Sequence, residues 1–159
     1  MKILIKSKNI NINADNIMLN EMINMPIMKW DESFSVKVAE IDKQHQTLVE
    51  MLNELYDMMK IGKGKDVIGP LLNDLTEYTV EHFGTEEKYF DKFGFEESAR
   101  HKHEHKKFVN QVSKFKQEFD DGTANLSIDL MNFLKNWLVE HIKGSDQRYI
   151  QCFNENGLN

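Results

Sequence analysis

Four stretches of this chain repeat apolar residues every three, four or seven positions, and no other feature constrains the fold as strongly. Only two prolines occur in 159 residues, and Pro70 lies near the first turn of its stretch, where proline is tolerated. Glycine-rich or polar segments separate the stretches, so the sequence predicts an all-α, up-down-up-down antiparallel four-helix bundle. The predicted helices run from about Val38 to Ile61, Asp66 to Phe90, Glu96 to Phe119 and Ser127 to Phe153.

The N-terminal residues differ from the rest of the chain. They are rich in asparagine and show no sustained period up to about residue 24. Two interpretations stay open: residues 1–25 are a disordered extension, or the start is mis-assigned and synthesis begins at Met25. Under either one, residues 26–159 are predicted to form a single domain with one core.

Composition and charge exclude several classes of function. A net charge of -6 and a pI near 5.5 argue against nucleic acid as a partner. The lone Cys152 cannot form an intramolecular disulfide, and no run of about 18 apolar residues is present. The sequence therefore predicts a cytoplasmic protein without a membrane partner.

The stretch HKHEHKKF contains three of the six histidines. Positions four apart on a helix lie about 40° from each other, whereas positions two apart lie about 160° apart. His101 and His105 therefore share a face with Phe108, and His103 points toward solvent. The same four-residue step pairs His82 with Glu86.

A five-residue step separates His141 from Asp146 and is less regular. In an ideal α-helix it places the two side chains about 140° apart. Asp146 must therefore reach in from the side of its helix or lie at a local irregularity.

The predicted bundle brings these residues to one end. His45 lies near the start of the first helix, and the other pairs lie near the end of the second, the start of the third and the end of the fourth. Burying five imidazoles beside two carboxylates without a metal leaves polar groups that cost about 1–3 kcal/mol each when unsatisfied. The candidate metal ligands are His45, His82, Glu86, His101, His105, His141 and Asp146.

The composition of this set favours two transition-metal ions. Zinc takes four ligands, and calcium and magnesium prefer oxygen, whereas imidazole suits iron and two carboxylates can each bridge a pair of ions. Carboxylate-rich di-iron bundles use a Glu-x-x-His motif, which is absent from this sequence. A histidine-rich site favours reversible O2 chemistry over oxygenation of a substrate.

Four motifs of this chain resemble those of the hemerythrins, in particular the single-domain bacterial members. The resemblance extends from about Pro26 to Phe153 and includes all seven candidate ligands at the expected spacing. The motifs are WDESFSVKVAEIDKQHQTL (Trp30 to Leu48), HFGTE (His82 to Glu86), HKHEHKKF (His101 to Phe108) and WLVEHIKGSDQRY (Trp137 to Tyr149).

The resemblance implies a role for each ligand. It implies a hemerythrin-like di-iron domain in which His101, His105 and His141 hold one iron and His45 and His82 hold the other. Glu86 and Asp146 then bridge the ions beside an oxo or hydroxo bridge, and O2 binds at the iron with two histidines. The residues that match the family's apolar O2 pocket are Leu48, Phe83, Phe108, Trp137, Leu138, Ile142 and Tyr149.

Two further residues are candidates to support the site. Asp42 and Gln44 are candidates to orient His45, although helix capping explains Asp42 equally well.

The expected function is non-enzymatic, reversible O2 binding for storage, delivery or scavenging. The short segment after the fourth helix favours a free carrier. A sensor of O2, redox state or nitric oxide, and a peroxidase or nitric-oxide-reducing enzyme at the same site, are the alternatives. Iron storage or zinc binding is a further one, and no protein partner is identified.

Overall fold

The computed structural model describes residues 25–123 and 125–159. All regular secondary structure in the described part is helical, without strands. The all-α four-helix bundle predicted from the sequence is confirmed. The two interpretations of the N-terminal segment concern residues that, apart from Met25, lie outside the described part. The long helices are α1 (Ala39–Lys60), α2 (Gly64–Phe93), α3 (Ser98–Asp120) and α4 (Leu126–Trp137).

The start of α2 differs from the prediction. The helix begins at Gly64, two residues before the predicted start at Asp66. Asp66 therefore lies in the first turn, and its backbone N–H donates to the Lys63 carbonyl at 3.0 Å. A carboxylate in the first turn is favourable there because the helix dipole is positive at this end. Pro70 lies inside the helix.

The fourth predicted helix is not regular. After α4 the chain forms a π-helical segment, Leu138–Ser145, and then a 3-10 turn, Asp146–Arg148. A short helix, α5 (Ile150–Glu155), follows. The local irregularity that the five-residue step predicts is therefore present, and it is a π-helix.

Two apolar clusters divide the interior. The larger fills most of the bundle with side chains such as Leu52, Leu75 and Leu134. The smaller closes one end and contains Ile41 and Phe90, among others. Burying such side chains is the main favourable term in folding, so each cluster fixes the positions of the helices around it.

Hydrogen bonds hold the segment before α1, residues 25–38, against the bundle. Met28 and Asn53 exchange two hydrogen bonds, from the Met28 N–H to Oδ1 at 3.1 Å and from Nδ2 to the Met28 carbonyl at 2.8 Å. The Asp42 carboxylate accepts hydrogen bonds from the Val36 N–H and the Ser35 hydroxyl. Asp42 thus fixes the chain entering α1.

No helix among the described residues has the length and apolar character needed to cross a membrane.

Candidate metal centre

Seven polar side chains from the four predicted helices meet at one end of the bundle, between the two apolar clusters. Each exposes 3% or less of its surface. They come from the start of α1, the end of α2, the start of α3 and the segment that follows α4, so successive helices run in opposite directions. The structure thus brings together all seven predicted ligands, His45, His82, Glu86, His101, His105, His141 and Asp146.

The Glu86 carboxylate faces two groups of histidines with its two oxygens. Its Oε1 lies 3.9 Å from Nε2 of His45 and 3.7 Å from Nε2 of His82. Its Oε2 lies 3.6 Å from Nε2 of His101 and 3.0 Å from Nε2 of His105. One oxygen is therefore directed to each group.

The Asp146 carboxylate repeats this arrangement from the opposite side of the bundle. Its Oδ1 lies 3.1 Å from Nε2 of His101 and 3.0 Å from Nε2 of His141. Its Oδ2 lies 3.2 Å from Nε2 of His45. Both carboxylates consequently connect the same two histidine groups, as bridging ligands of a two-metal site would.

The converging atoms lack hydrogen-bond partners, and this is the direct test of whether a metal fits. Although nitrogen and oxygen atoms lie close together, no hydrogen bond within the described part satisfies Nε2 of any of the five histidines, Oε2 of Glu86 or either oxygen of Asp146. Each such atom costs about 1–3 kcal/mol when left unsatisfied. The seven side chains form two groups that share Glu86. Within each group, the candidate ligand atoms lie within 4.8 Å of one another. Two metal ions would satisfy them, and the residues fit that composition.

The π-helical segment explains how Asp146 reaches the centre. Hydrogen bonds between residues five apart place such residues one above the other on the helix. The Asp146 N–H donates to the His141 carbonyl five residues earlier. The side chain of Gln147 donates to the Ile142 carbonyl at 3.1 Å, which satisfies one backbone acceptor of the widened turn.

Three histidines are oriented by partners on a neighbouring part of the bundle. Nδ1 of His141 lies 2.8 Å from Oε2 of Glu104, which also accepts a hydrogen bond from Ser145. Nδ1 of His105 lies 3.0 Å from Oε1 of Glu87. These contacts place an N–H at Nδ1 and leave the lone pair of Nε2 directed into the centre.

The third oriented histidine is His82, and its partner corrects one prediction. Gln44 Oε1 lies 3.0 Å from Nδ1 of His82, so Gln44 orients His82 and not His45. Asp42 is not a partner of His45 either, because its oxygens are used by Ser35 and Val36. Nδ1 of His45 is buried without a hydrogen-bond partner in the described residues.

His82 differs in protonation from His101 and His141. Burial lowers the pKa of His82 to about 3, outweighing the opposite effect of Glu86. Burial also disfavours protonation of His101, but the carboxylates of Asp146 and Glu86 outweigh it and raise the pKa to about 9. The same competition, with Asp146 as the main partner, raises the pKa of His141.

The carboxylates of Glu86 and Asp146 stay ionised despite complete burial. Burial and the neighbouring carboxylate favour the neutral form of Glu86, yet the surrounding histidines outweigh them and hold its pKa below the usual range. Burial likewise opposes ionisation of Asp146, and His141, His101 and His45 keep its pKa well below normal. The Tyr149 hydroxyl donates to Oε1 of Glu86 at 2.5 Å. A metal would thus meet two anionic ligands.

The predicted pocket residues divide between the two clusters. Five are buried in the larger cluster beside the centre, and Trp137, partly buried, packs against it and stacks on the His141 ring with centroids 3.8 Å apart. Tyr149 lies instead in the smaller cluster, where its hydroxyl holds Glu86. The five buried residues are Leu48, Phe83, Phe108, Leu138 and Ile142.

The sequence predicts the position of the exposed histidine but not the roles of two supporting carboxylates. His103 is exposed, as the helical phase predicts. Glu87 and Glu104 were not predicted as supporting residues, and their only signal is adjacency to a ligand in the sequence. Their contacts depend on how neighbouring helices are rotated. Tyr78, four residues before His82, was also missed, although that spacing places it on the face of His82.

Comparison with known proteins agrees with this geometry. The family model described as "Hemerythrin HHE cation binding domain" matches residues 36–153. Bacteriohemerythrin of Methylococcus capsulatus is 36% identical over 129 residues, covering 80% of this chain and 98% of the relative. A hemerythrin-like protein of Naegleria gruberi is 36% identical over 120 residues, covering 76% and 88%. A crystal structure of wild-type hemerythrin, 35% identical, superposes with a TM-score of 0.72 and covers 79% and 97%. This chain belongs to the hemerythrin family.

Proposed function

We propose that residues 26–159 bind two iron ions at this centre and bind O2 reversibly there, without catalytic turnover. The observation that carries the proposal is the pair of buried carboxylates, each directing one oxygen to each histidine group while no hydrogen bond in the described part satisfies the converging nitrogens. Two metal ions that share bridging ligands account for this arrangement. Membership in the hemerythrin family supports iron as the metal.

The proposed ligand assignment follows the two groups. His101, His105 and His141 hold one ion, His45 and His82 hold the other, and Glu86 and Asp146 are shared. The second ion then has one protein ligand fewer, which leaves room for a small exogenous ligand. Bound iron would supply the reversible electron transfer on which O2 binding depends.

The surrounding residues have two tasks. Glu87, Glu104 and Gln44 fix the orientation of three imidazole rings through Nδ1, which keeps Nε2 available for a metal. The apolar side chains on the bundle side of the centre exclude water, and a dry surrounding is what a reversible carrier requires, because water promotes loss of the bound state. Five of them are Leu48, Phe83, Phe108, Leu138 and Ile142.

The proposal is tested by absorption spectroscopy together with iron analysis. The protein is reduced with dithionite, desalted anaerobically, exposed to air and then flushed with argon. We expect two irons per chain, a colourless reduced form, and a visible charge-transfer band that appears in air and fades under argon.

Other outcomes assign other functions. A band that forms in air but does not fade would indicate redox turnover, and consumption of peroxide or nitric oxide would then identify an enzyme. Zinc in place of iron, or many irons per chain, would contradict the proposal. A sensor would show the reversible band as well and is distinguished by a protein partner whose binding depends on O2.

A further inference from the structure

Tyr78 carries a buried hydroxyl that no contact in the described part of the chain satisfies. The residue lies on α2, exposes 7% of its surface and belongs to the larger apolar cluster. Its hydroxyl oxygen is inaccessible to solvent and has no hydrogen-bond partner among the described residues. A phenol of this kind normally finds a partner when buried, so an unpaired one requires an explanation.

The ring of Tyr78 lies beside a predicted metal ligand. It stacks on the His82 ring with centroids 5.0 Å apart and an angle of 25° between the planes. Because Tyr78 precedes His82 by one helical turn, the two side chains share a face of α2. Tyr78 therefore adjoins the histidine group that has only two members.

The electrostatic surroundings agree with this position. Burial raises the pKa of Tyr78 well above 10, and Glu86 and Asp146 raise it further. The two buried carboxylates are therefore close enough to act on this hydroxyl. A protonated phenol in this place is a hydrogen-bond donor.

Tyr149 offers a direct comparison within the same centre. Both phenols are buried and both lie in the field of Glu86 and Asp146. The Tyr149 hydroxyl donates a hydrogen bond to Oε1 of Glu86, whereas the Tyr78 hydroxyl donates to no described residue. One phenol supports the ligand set, and the other is left with a free donor.

A cleft connects this region to solvent. It has a volume of about 500 Å³ and lies between α1 and α2. Gln44, Tyr78 and His82 belong to its lining, together with polar residues of the rim. The rings of Tyr78 and His82 therefore both border this cleft, with the Tyr78 hydroxyl on their buried side.

We propose that the Tyr78 hydroxyl donates a hydrogen bond to a small, negatively charged ligand bound beside His45 and His82. The inference rests on the proposed function, since it assumes an iron ion at those histidines with room for such a ligand. O2 gains negative charge when it accepts electrons, so the same donor acts on it. The donor also helps to select anions over neutral molecules of similar size.

Azide is the probe, and Tyr78→Phe is the variant, because it removes only the hydroxyl. The iron-loaded, oxidised protein is titrated with azide and followed by visible absorption. We expect azide to bind about tenfold more weakly to Tyr78→Phe, since a hydrogen bond to a charged group is lost. Tyr56→Phe, at the other end of α1 beside Lys60, is the matched control and keeps the wild-type affinity.

Infrared spectroscopy gives a readout that a structural role would not change. The azide stretch of the wild-type complex is expected to shift in D2O, and the shift is expected to disappear in Tyr78→Phe. Urea unfolding of the metal-free proteins adds a second readout. Tyr78→Phe should unfold at the wild-type urea concentration or above it, because it breaks no internal hydrogen bond and removes an unsatisfied polar group.

The outcomes separate the inference from the function beneath it. If wild-type protein binds iron and azide but Tyr78→Phe binds azide equally well, the inference is wrong and the proposed function stands. If Tyr78→Phe loses iron or unfolds at lower urea, Tyr78 has a structural role and the inference is overturned. If wild-type protein forms no iron centre, the proposed function fails and the inference fails with it. If it forms the iron centre but no azide complex, the inference alone is overturned.

Discussion

The two halves of the centre are built differently, although the same two carboxylates join them. In the half formed by His101, His105 and His141, two Nδ1 atoms face carboxylates, Glu87 and Glu104. In the other half, an amide oxygen orients His82, and Nδ1 of His45 is without a hydrogen-bond partner in the described residues.

A carboxylate partner makes an imidazole a more basic and more rigid ligand than an amide does. The first half is therefore suited to hold a metal ion firmly. The second has fewer histidines, weaker orientation and a neighbouring cleft, which suits the exchange of a small ligand. The difference teaches that one end of a bundle would combine two tasks: the first half would retain a metal ion, and the second would admit a small ligand.

Loss of a ligand from the firmly held half should have the largest effect. We expect His101→Ala to reduce iron from two per chain to one or none, because both bridging carboxylates lie against this ring. His103→Ala, two positions away on the exposed face, should keep two irons. Iron is measured after desalting, and equal loss in both variants would contradict the helical phase on which the ligand set rests.

Removal of an orienting carboxylate should have the next largest effect. Glu104→Ala is expected to weaken metal binding about 10- to 100-fold, as is typical when the partner of a ligating histidine is lost. Gln44→Ala should weaken it less, since an amide is the weaker partner. Affinity is measured by competition with a chelator, with the exposed Glu140→Ala as control. A larger effect at Gln44 would reverse the order of the two halves.

The link between Tyr149 and Glu86 should contribute to stability without metal. Tyr149→Phe removes a buried hydrogen bond to a carboxylate, which is worth about 1.5–3 kcal/mol. Urea unfolding of the metal-free protein should therefore show a lower free energy of unfolding. An unchanged unfolding curve would mean that other contacts compensate for the lost donor.

Protonation should also distinguish His101 from His82. The pKa of His101 is raised to about 9, so its proton must leave before a metal binds, whereas His82, with a pKa of about 3, is already neutral. Affinity for Co²⁺ should rise by about tenfold per pH unit between pH 6 and 8 for each proton displaced. Isothermal titration in buffers of different ionisation enthalpy counts these protons, and a pH-independent affinity would contradict the assigned difference.

The sequence predicted those features that depend on a single helix. Apolar spacing gave the four helices, and the four-residue steps gave the shared faces of His82 with Glu86 and of His101 with His105. The predicted helix ends were less accurate, because α2 begins at Gly64 and not at Asp66. Local propensity is weak at helix ends.

Individual side-chain contacts between neighbouring helices were not predicted. Glu104 reaches His141 and Gln44 reaches His82 across helix interfaces, and a single sequence does not specify those rotations. The five-residue step between His141 and Asp146 indicated an irregularity, yet only the structure identifies it as a π-helix. Whether the Tyr78 hydroxyl finds a partner depends on the side chains packed around it, and residue spacing does not predict those neighbours.

The convergence of ligands from the whole length of the chain also has a consequence for folding. Metal bound at this end would act as a cross-link that closes every interhelical loop at once, so chain entropy would be removed from the unfolded state. Binding to the native state alone adds stability that grows with metal concentration. Amide hydrogen exchange at the end with the candidate ligands should accordingly respond to metal, while the opposite end, to which none of these ligands belongs, should exchange at a rate that its own contacts determine.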